Sequence, residues 1–309
     1  MVTDADAAFI FPGQGSQRAG MGRDVCQTWE QAREVFDQVS RATGFDVAEA
    51  CFEQSGRALE STAVAQPALL AVELACAAVL RRGGVRPAAV AGHSLGEFAA
   101  WVACEAIEQA DAARLVALRA RVMERAASDR PGAMAAILGL EAAQVEELCR
   151  QAARAGVVVP ANFNAPGQVV ISGEKEAVQL AARLAGERGA KTRWLAVAGG
   201  FHSPLMAPAA ERFAAALGEV NASEPQVPVA ANATGELVRT ADEVRAAAAA
   251  QMTGAVRWES CVRRLLSLGL RRFYEVGPGN VLAGLVRRIE PAAEVVAAGD
   301  ADSLRRIVG

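Results

Sequence analysis

The chain has 309 residues, 52% hydrophobic and 22% charged, an ordinary globular balance with enough material for one large domain or two. Its formal net charge of -3 argues against a general nucleic-acid binder, because neutralising phosphates needs a basic face. The opening MVTDADAAFIFPG carries two aspartates and no positive charge before a short apolar run, so it does not read as a secretory signal.

In chain order, AAFIF (7–11) reads as a strand running into the glycine-rich turn PGQGSQ. That turn fails as a dinucleotide loop, since Arg18 stands where a third glycine belongs, and no G-K-[ST] makes it a P-loop. Its alternative use is to aim the backbone N–H of Gln14 at a second turn as an oxyanion donor. A helix is expected from Pro67 to Arg82, with Pro67 at the first helical position and Gly83-Gly84 as the stop. Its apolar run PALLAVELACAAVL is interrupted by Glu73 and reads as too short to span a bilayer. A cytoplasmic protein without a membrane partner is expected. The strand AAVAG (88–92), a helix from about Leu95 and another from about Asp111 to Ala127 follow, and the alternation predicts a parallel sheet covered by helices.

From about Pro131 the rhythm changes to strand AMAAIL, helix EAAQVEELCRQAARA, strands VVVPAN and QVVIS, helix EKEAVQLAARLAGERG and strand TRWLAV. That order, β-α-β-β-α-β, is the ferredoxin-like pattern. VPVAAN, the helical ADEVRAAAAAQM, a helix around Val262 and the strand RRFYEV before GPGN then resume the larger unit. The expectation is an α/β protein in which residues 1–130 and 199–309 form a parallel-sheet domain. Residues 131–198 form an inserted small domain, with a cleft between the two. The six cysteines, at 26, 51, 76, 104, 149 and 261, contain no C-x-x-C pair, so their spacing indicates neither a zinc site nor a dithiol motif.

The stretch AGHSLGEFAA (91–100) places G-x-S-x-G at a strand-to-helix joint, the nucleophile-elbow pattern in which glycines permit a turn that lifts Ser94 out of the sheet. At the helix start the N–H of Leu95 is a second oxyanion donor. The plainer alternative is a glycine-rich turn with a capping serine. A serine nucleophile needs a base, and the chain has two histidines. His93 neighbours Ser94 in extended chain, so their side chains point apart. His202, in GGFHSPLM on a loop, is then the candidate. No Asp or Glu stands out to orient it, and a backbone carbonyl would hold the tautomer equally well. In the helix ARLVALRARVMERA, at about 100° per residue, Arg119 falls within the arc of Leu115, Leu118, Val122 and Met123. Such an arginine either snorkels, pairs with a structural carboxylate, or offers a bidentate seat to a substrate carboxylate.

FPGQGSQ (11–17), QPALL (66–70), GHSLGE (92–97), NFNAPGQVVISG (162–173), FHSPLM (201–206) and YEVGPG (274–279) occur in this order over nearly the whole chain. Together they resemble the malonyl-CoA:acyl carrier protein transacylases of fatty-acid synthesis and the related acyltransferases of polyketide synthases. The resemblance implies a hydrolase-like α/β domain carrying a ferredoxin-like insert. It implies Ser94 as the acylated nucleophile, His202 as base, Arg119 as the seat of the malonyl carboxylate, and Gln14 and Leu95 as oxyanion donors. Gln251, in QMTGAVRW, would present its backbone carbonyl to His202. Phe201 resembles the malonyl-selective form, its ring filling the space a C2 branch would need, although GGFH (199–202) departs from the bulkier approach common in relatives. The implied reaction is ping-pong transfer of malonyl from malonyl-CoA to the phosphopantetheine thiol of an acyl carrier protein, with no metal or redox cofactor. The rivals are a free-standing polyketide synthase acyltransferase using malonyl or another extender unit, and a serine thioesterase or hydrolase, which has no need of a buried arginine.

Overall fold

The computed structural model describes residues 6–53, 56–197 and 199–309. AAFIF forms β1 (Ala7–Phe11), buried throughout. Ala7, Phe9 and Phe11 enter one core while Ala8 and Ile10 enter another, as a period of two requires of a strand covered on both faces. Three helices follow, α1 (Arg23–Thr28), α2 (Glu30–Thr43) and α3 (Val47–Phe52), before α4 (Thr62–Arg82).

Helix α4 corrects two expectations. It begins at Thr62, so Pro67 lies inside it rather than at its first position, where the proline has no N–H to offer the Ala63 carbonyl. It is also long and apolar enough to cross a membrane, contrary to the shorter run read from the sequence, but it is mostly buried within the protein as a core helix. Its end is as expected: Gly84 has φ 84°, and Val85 N–H returns to the Leu80 carbonyl at 2.9 Å, a left-handed termination that glycine permits.

Strand β2 (Ala89–Gly92) leads into α5 (Gly96–Ala103), and α6 (Gln109–Asp129) follows. The chain then builds a separate antiparallel sheet from β3 (Ala133–Leu138), α7 (Ala142–Ala152), β4 (Val158–Ala165), β5 (Gln168–Gly173), α8 (Lys175–Glu187) and β6 (Lys191–Trp194), in the strand order β4-β5-β3-β6. The last strand is shorter than TRWLAV suggested, ending at Trp194, and the expected boundary residue Ala198 lies outside the described residues. Ala135 and Ile137 of β3 pack under α7 and α8, whereas Met134 and Ala136 join the large core. Phe163 N–H donates to the Val256 carbonyl at 2.9 Å and Val256 N–H to the Ala161 carbonyl at 2.8 Å, stitching β4 to the large unit.

The remainder comprises α9 (Ala207–Leu217), β7 (Val229–Ala230), β8 (Leu237–Val238), α10 (Ala241–Gln251), α11 (Trp258–Ser267), β9 (Arg272–Val276), α12 (Val281–Ile289), β10 (Glu294–Ala298) and α13 (Ala301–Val308). The large sheet has the order β10-β9-β1-β2-β7-β8, parallel except for β8. VPVAAN thus contributes a strand of only two residues. Because β1 and β2 are parallel neighbours, the turns at their carboxyl ends, holding Gln14 and Ser94, come side by side. Such carboxyl ends are where open α/β sheets place their ligands. On the surface, Arg263 pairs with Glu259 at 2.7 Å, Arg264 with Glu236, and Arg272 with Glu294 at 2.8 Å.

Candidate active site

Both glycines of G-x-S-x-G are sterically required. A Cβ on Gly92 would lie 2.0 Å from the Gly96 carbonyl, and one on Gly96 would lie 2.2 Å from the Phe11 carbonyl. Strand β2 can therefore turn into α5 only with hydrogen at both positions. Ser94 sits at the apex with φ 52°, a left-handed conformation that costs a non-glycine residue about 1–3 kcal/mol. Asn232 holds it there, its Oδ1 accepting the Ser94 N–H at 2.7 Å while its Nδ2 donates to the Gly92 carbonyl at 2.6 Å. The plainer reading of this serine as a helix cap does not describe the geometry, since no side chain caps α5.

His202, on the turn before α9 and also left-handed at φ 56°, brings its Nε2 to 2.7 Å from Ser94 Oγ. Its Nδ1 faces two backbone carbonyls, Gln251 at 3.0 Å and Gly254 at 3.1 Å. Two acceptors at Nδ1 put the proton there, leaving the Nε2 lone pair for the serine hydroxyl. Burial, with the Arg119 charge adding to it, pushes the imidazole down to about 3, so it rests neutral. The His93 side chain is engaged elsewhere: its Nε2 pairs with Asn164 Oδ1 of β4 at 2.9 Å, which joins the small sheet to the elbow.

Arg119 of α6 is 1% exposed, as its place within the apolar arc requires. Its Nη2 donates to Ser94 Oγ and to Gln251 Oε1, both at 3.0 Å, and Nη1 donates to Gln66 Oε1 at 2.6 Å. Among the described residues no carboxylate forms an ion pair with it, so the reading as a partner of a structural carboxylate is set aside. Burial lowers its pKa to about 10, partly offset by Glu97, which leaves it charged at neutral pH. A buried guanidinium satisfied only by neutral groups retains a charge that an arriving anion can neutralise.

Sequence reasoning missed Gln66, Glu97 and Asn232. The first two lie in the quoted motifs QPALL and GHSLGE, but nothing local says where their side chains point. Glu97 is fully buried in α5. Its Oε1 accepts the Asn232 N–H at 2.8 Å and its Oε2 accepts from Gln251 Nε2, which also donates to the Ser94 carbonyl at 2.8 Å. Burial raises the Glu97 carboxyl to about 7 against the lowering effect of these donors.

The glycine loop after β1 packs on the elbow, a Cβ on Gly13 being 2.6 Å from the His93 carbonyl. The Gln14 side chain donates to Thr62 Oγ1 at 3.1 Å. Among the described residues neither the Gln14 nor the Leu95 backbone N–H has an internal acceptor. Phe201 is buried, its carbonyl accepting from Ser172 Oγ at 2.6 Å. The glycines before it are needed: a Cβ on Gly199 would lie 2.7 Å from Ala127 Cβ and 2.8 Å from the Phe201 ring, and Gly200 abuts Leu205 and Gly173.

A parallel α/β sheet with a serine elbow, a histidine on its hydroxyl and a buried guanidinium beside both is an arrangement found in α/β enzymes that act on acyl groups. Residues 8–304 match the family model described as acyl transferase domain. The chain belongs to that family and is an acyltransferase. It is 42% identical over 284 residues to the malonyl CoA-acyl carrier protein transacylase of Escherichia coli K12, spanning 91% of this chain and 92% of that one. It is 37% identical over 299 residues to the protein of the same name in Bacillus subtilis 168, spanning 96% and 94%. Among solved structures, the malonyl-CoA:acyl carrier protein transacylase of Xanthomonas oryzae pv. oryzae superposes with a TM-score of 0.95 at 40% identity, covering 99% of this chain and 98% of that one. A malonyl-transacylase in complex with its type II PKS acyl-carrier protein superposes with 0.93 at 37% identity, covering 98% and 99%.

Proposed function

We propose that the protein transfers malonyl from malonyl-CoA to the phosphopantetheine thiol of an acyl carrier protein by a ping-pong route through a Ser94 ester. The observation that carries this reading is one oxygen, Ser94 Oγ, held at 2.7 Å from His202 Nε2 and 3.0 Å from Arg119 Nη2. His202 takes the hydroxyl proton as Oγ attacks the thioester carbon, and its Nδ1–H stays on the Gln251 and Gly254 carbonyls, which disperse the imidazolium charge. The oxyanion is received by the free N–H groups of Gln14 and Leu95. CoA leaves as thiol with the proton from His202. The carrier thiol then gives its proton back to His202 and attacks the ester, regenerating Ser94. Arg119 exchanges its bond to Ser94 for the malonyl carboxylate, and Phe201 limits substitution at C2. No metal or redox cofactor enters this scheme.

The order and pairing of β3 to β6 support a ferredoxin-like insert, residues 131–198, in a hydrolase-like domain formed by 1–130 and 199–309. The relatives' names support the malonyl group and the carrier protein as partners; a cytoplasmic setting within fatty-acid synthesis belongs to the same proposal. The likeness to a type II PKS pair supports a polyketide carrier as the second acceptor class. Intact-protein mass measurement after malonyl-CoA is expected to show a malonyl adduct on the wild type and none on Ser94→Ala, with His202→Ala slowing acylation at least ~100-fold. An adduct of equal yield on Ser94→Ala, or release to water faster than transfer to holo carrier protein, would overturn the proposal, the latter in favour of a thioesterase.

A further inference from the structure

A cavity of about 250 Å³ lies at the amino ends of β2 and β7, away from the carboxyl ends that carry Ser94. Phe9, Leu74, Ala78, Val102 and Val227 form its apolar wall. Its volume falls below the ~300 Å³ at which drug-sized pockets begin, so an occupant has to be short. Arg81, Arg86 and Glu105 also line it. Arg81 meets Glu105 at 2.7 Å, both side chains about half exposed. Arg86 is exposed and forms no ion pair among the described residues.

Glu105 carries the second observation. Ser94, His202 and Glu105 are the non-glycine residues with positive φ among those described, Glu105 at 63°. It follows the end of α5, where Ala106 N–H returns to the Trp101 carbonyl at 2.8 Å, a position at which glycine is the unstrained choice. A glutamate there accepts backbone strain and in exchange places a carboxylate on the Arg81 guanidinium beside the cavity. The position of that carboxylate shows that Arg81 can receive such a group at this rim, and the unpaired Arg86 leaves a net positive charge over an apolar hole.

We propose that this cavity is a binding site for a medium-chain alkyl carboxylate, the chain lying between α4 and α5 against Phe9 and the carboxylate seated on Arg86 and Arg81. The site is separate from the Ser94 centre and does not depend on the reaction assigned there.

The test is calorimetric titration of the full chain with octanoate and with octanol, repeated on Ala78→Phe, Arg86→Ala and Arg119→Ala. Saturable octanoate binding is expected in the wild type, at least about tenfold weaker in Ala78→Phe, whose ring occupies the cavity. Arg86→Ala should weaken it about two- to fivefold, the range of a solvent-exposed ion pair, and should narrow the margin of octanoate over octanol. Arg119→Ala should leave it unchanged. Arg86 is exposed, so that variant keeps the test decisive if Ala78→Phe does not fold. Absence of saturable binding, equal affinity for octanol and octanoate in the wild type, or loss in Arg119→Ala rather than in Arg86→Ala would each overturn the proposal.

Discussion

Arg119 separates a substrate seat from a structural role. Its partners are the neutral groups of Gln66, Ser94 and Gln251, so Arg119→Ala removes the charge an acyl carboxylate would meet. Losing one partner of a buried charge pair costs ~2–5 kcal/mol, which predicts a fall of roughly 30- to 3,000-fold in kcat/KM for malonyl-CoA. Acetyl-CoA, with no carboxylate, should react as well as before or better. Equal losses for both substrates, read in the same assay, would assign Arg119 to structure. Glu97 sets a second prediction. His202 lies at about 3 through burial and the Arg119 charge, and Glu97 at about 7 through burial, so an acid limb in kcat/KM near neutrality belongs to Glu97, whose anion accepts from Asn232 and Gln251. Activity is expected to fall as pH drops through about 7. Its stability contribution has the opposite sign: a carboxyl raised in the folded state stabilises below its unfolded value near 4.5 and loses that contribution as pH rises through about 7. Glu97→Gln offers one acceptor where two were used, costing ~1–3 kcal/mol, and should give a flat profile about tenfold below the wild-type plateau. A limb near pH 7 persisting in Glu97→Gln would show that His202 titrates there instead.

At the scale of elements, α5 and α4 carry opposite lessons. The start of α5 is possible only because Gly92 and Gly96 have no side chains, the would-be Cβ atoms falling 2.0–2.2 Å from backbone. Gly96→Ala is therefore expected to lower the melting temperature and reduce acylation at least ~100-fold, because relief requires moving Phe11 or the elbow itself. A fully active, equally stable Gly96→Ala would show that the turn is not constrained. Helix α4 instead buries a carboxyl without use in the proposed reaction. Neither oxygen of Glu73 has a hydrogen-bond partner among the described residues, and burial raises its pKa well above the usual range. Burial favours its protonated form in the folded protein, so it costs stability increasingly as pH rises above about 4.5. Glu73→Leu should raise stability by ~1–3 kcal/mol and flatten the fall in melting temperature as pH rises above about 4.5. A lower melting temperature at pH 8 would mean that Glu73 has a polar partner.

For the whole molecule, the two sheets share structure rather than meeting as separate bodies. Strand β3 sends Ala135 and Ile137 into the small core and Met134 and Ala136 into the large one, and β4 exchanges backbone hydrogen bonds with Val256. Opening the small sheet alone would expose part of the large core. Calorimetry is therefore expected to show one cooperative transition. Ile137→Ala, a cavity change worth ~2–5 kcal/mol, should move that whole transition down. Two transitions, with Ile137→Ala displacing only the earlier, would show that the small unit unfolds by itself.

Features that rest on local sterics and period were legible from the residues alone. G-x-S-x-G specifies the elbow because only glycine fits its flanks, the 100° helical step places Arg119 inside an apolar arc, the apolar run AAFIF reads as a strand, and extended geometry turns His93 away from Ser94. Tertiary structure decided the rest. Gln251 bonds to the Ser94 carbonyl across 157 residues and Asn232 to the Gly92 carbonyl across 140, and no local rule states which side chains meet across such separations. The same holds for the early start of α4, where packing outweighs the proline at 67, and for Glu97, read only as a motif letter until the fold surrounded it with donors. Periodicity assigns a residue to a face, but the partner on that face is chosen by how the sheet, its helices and the inserted unit pack together.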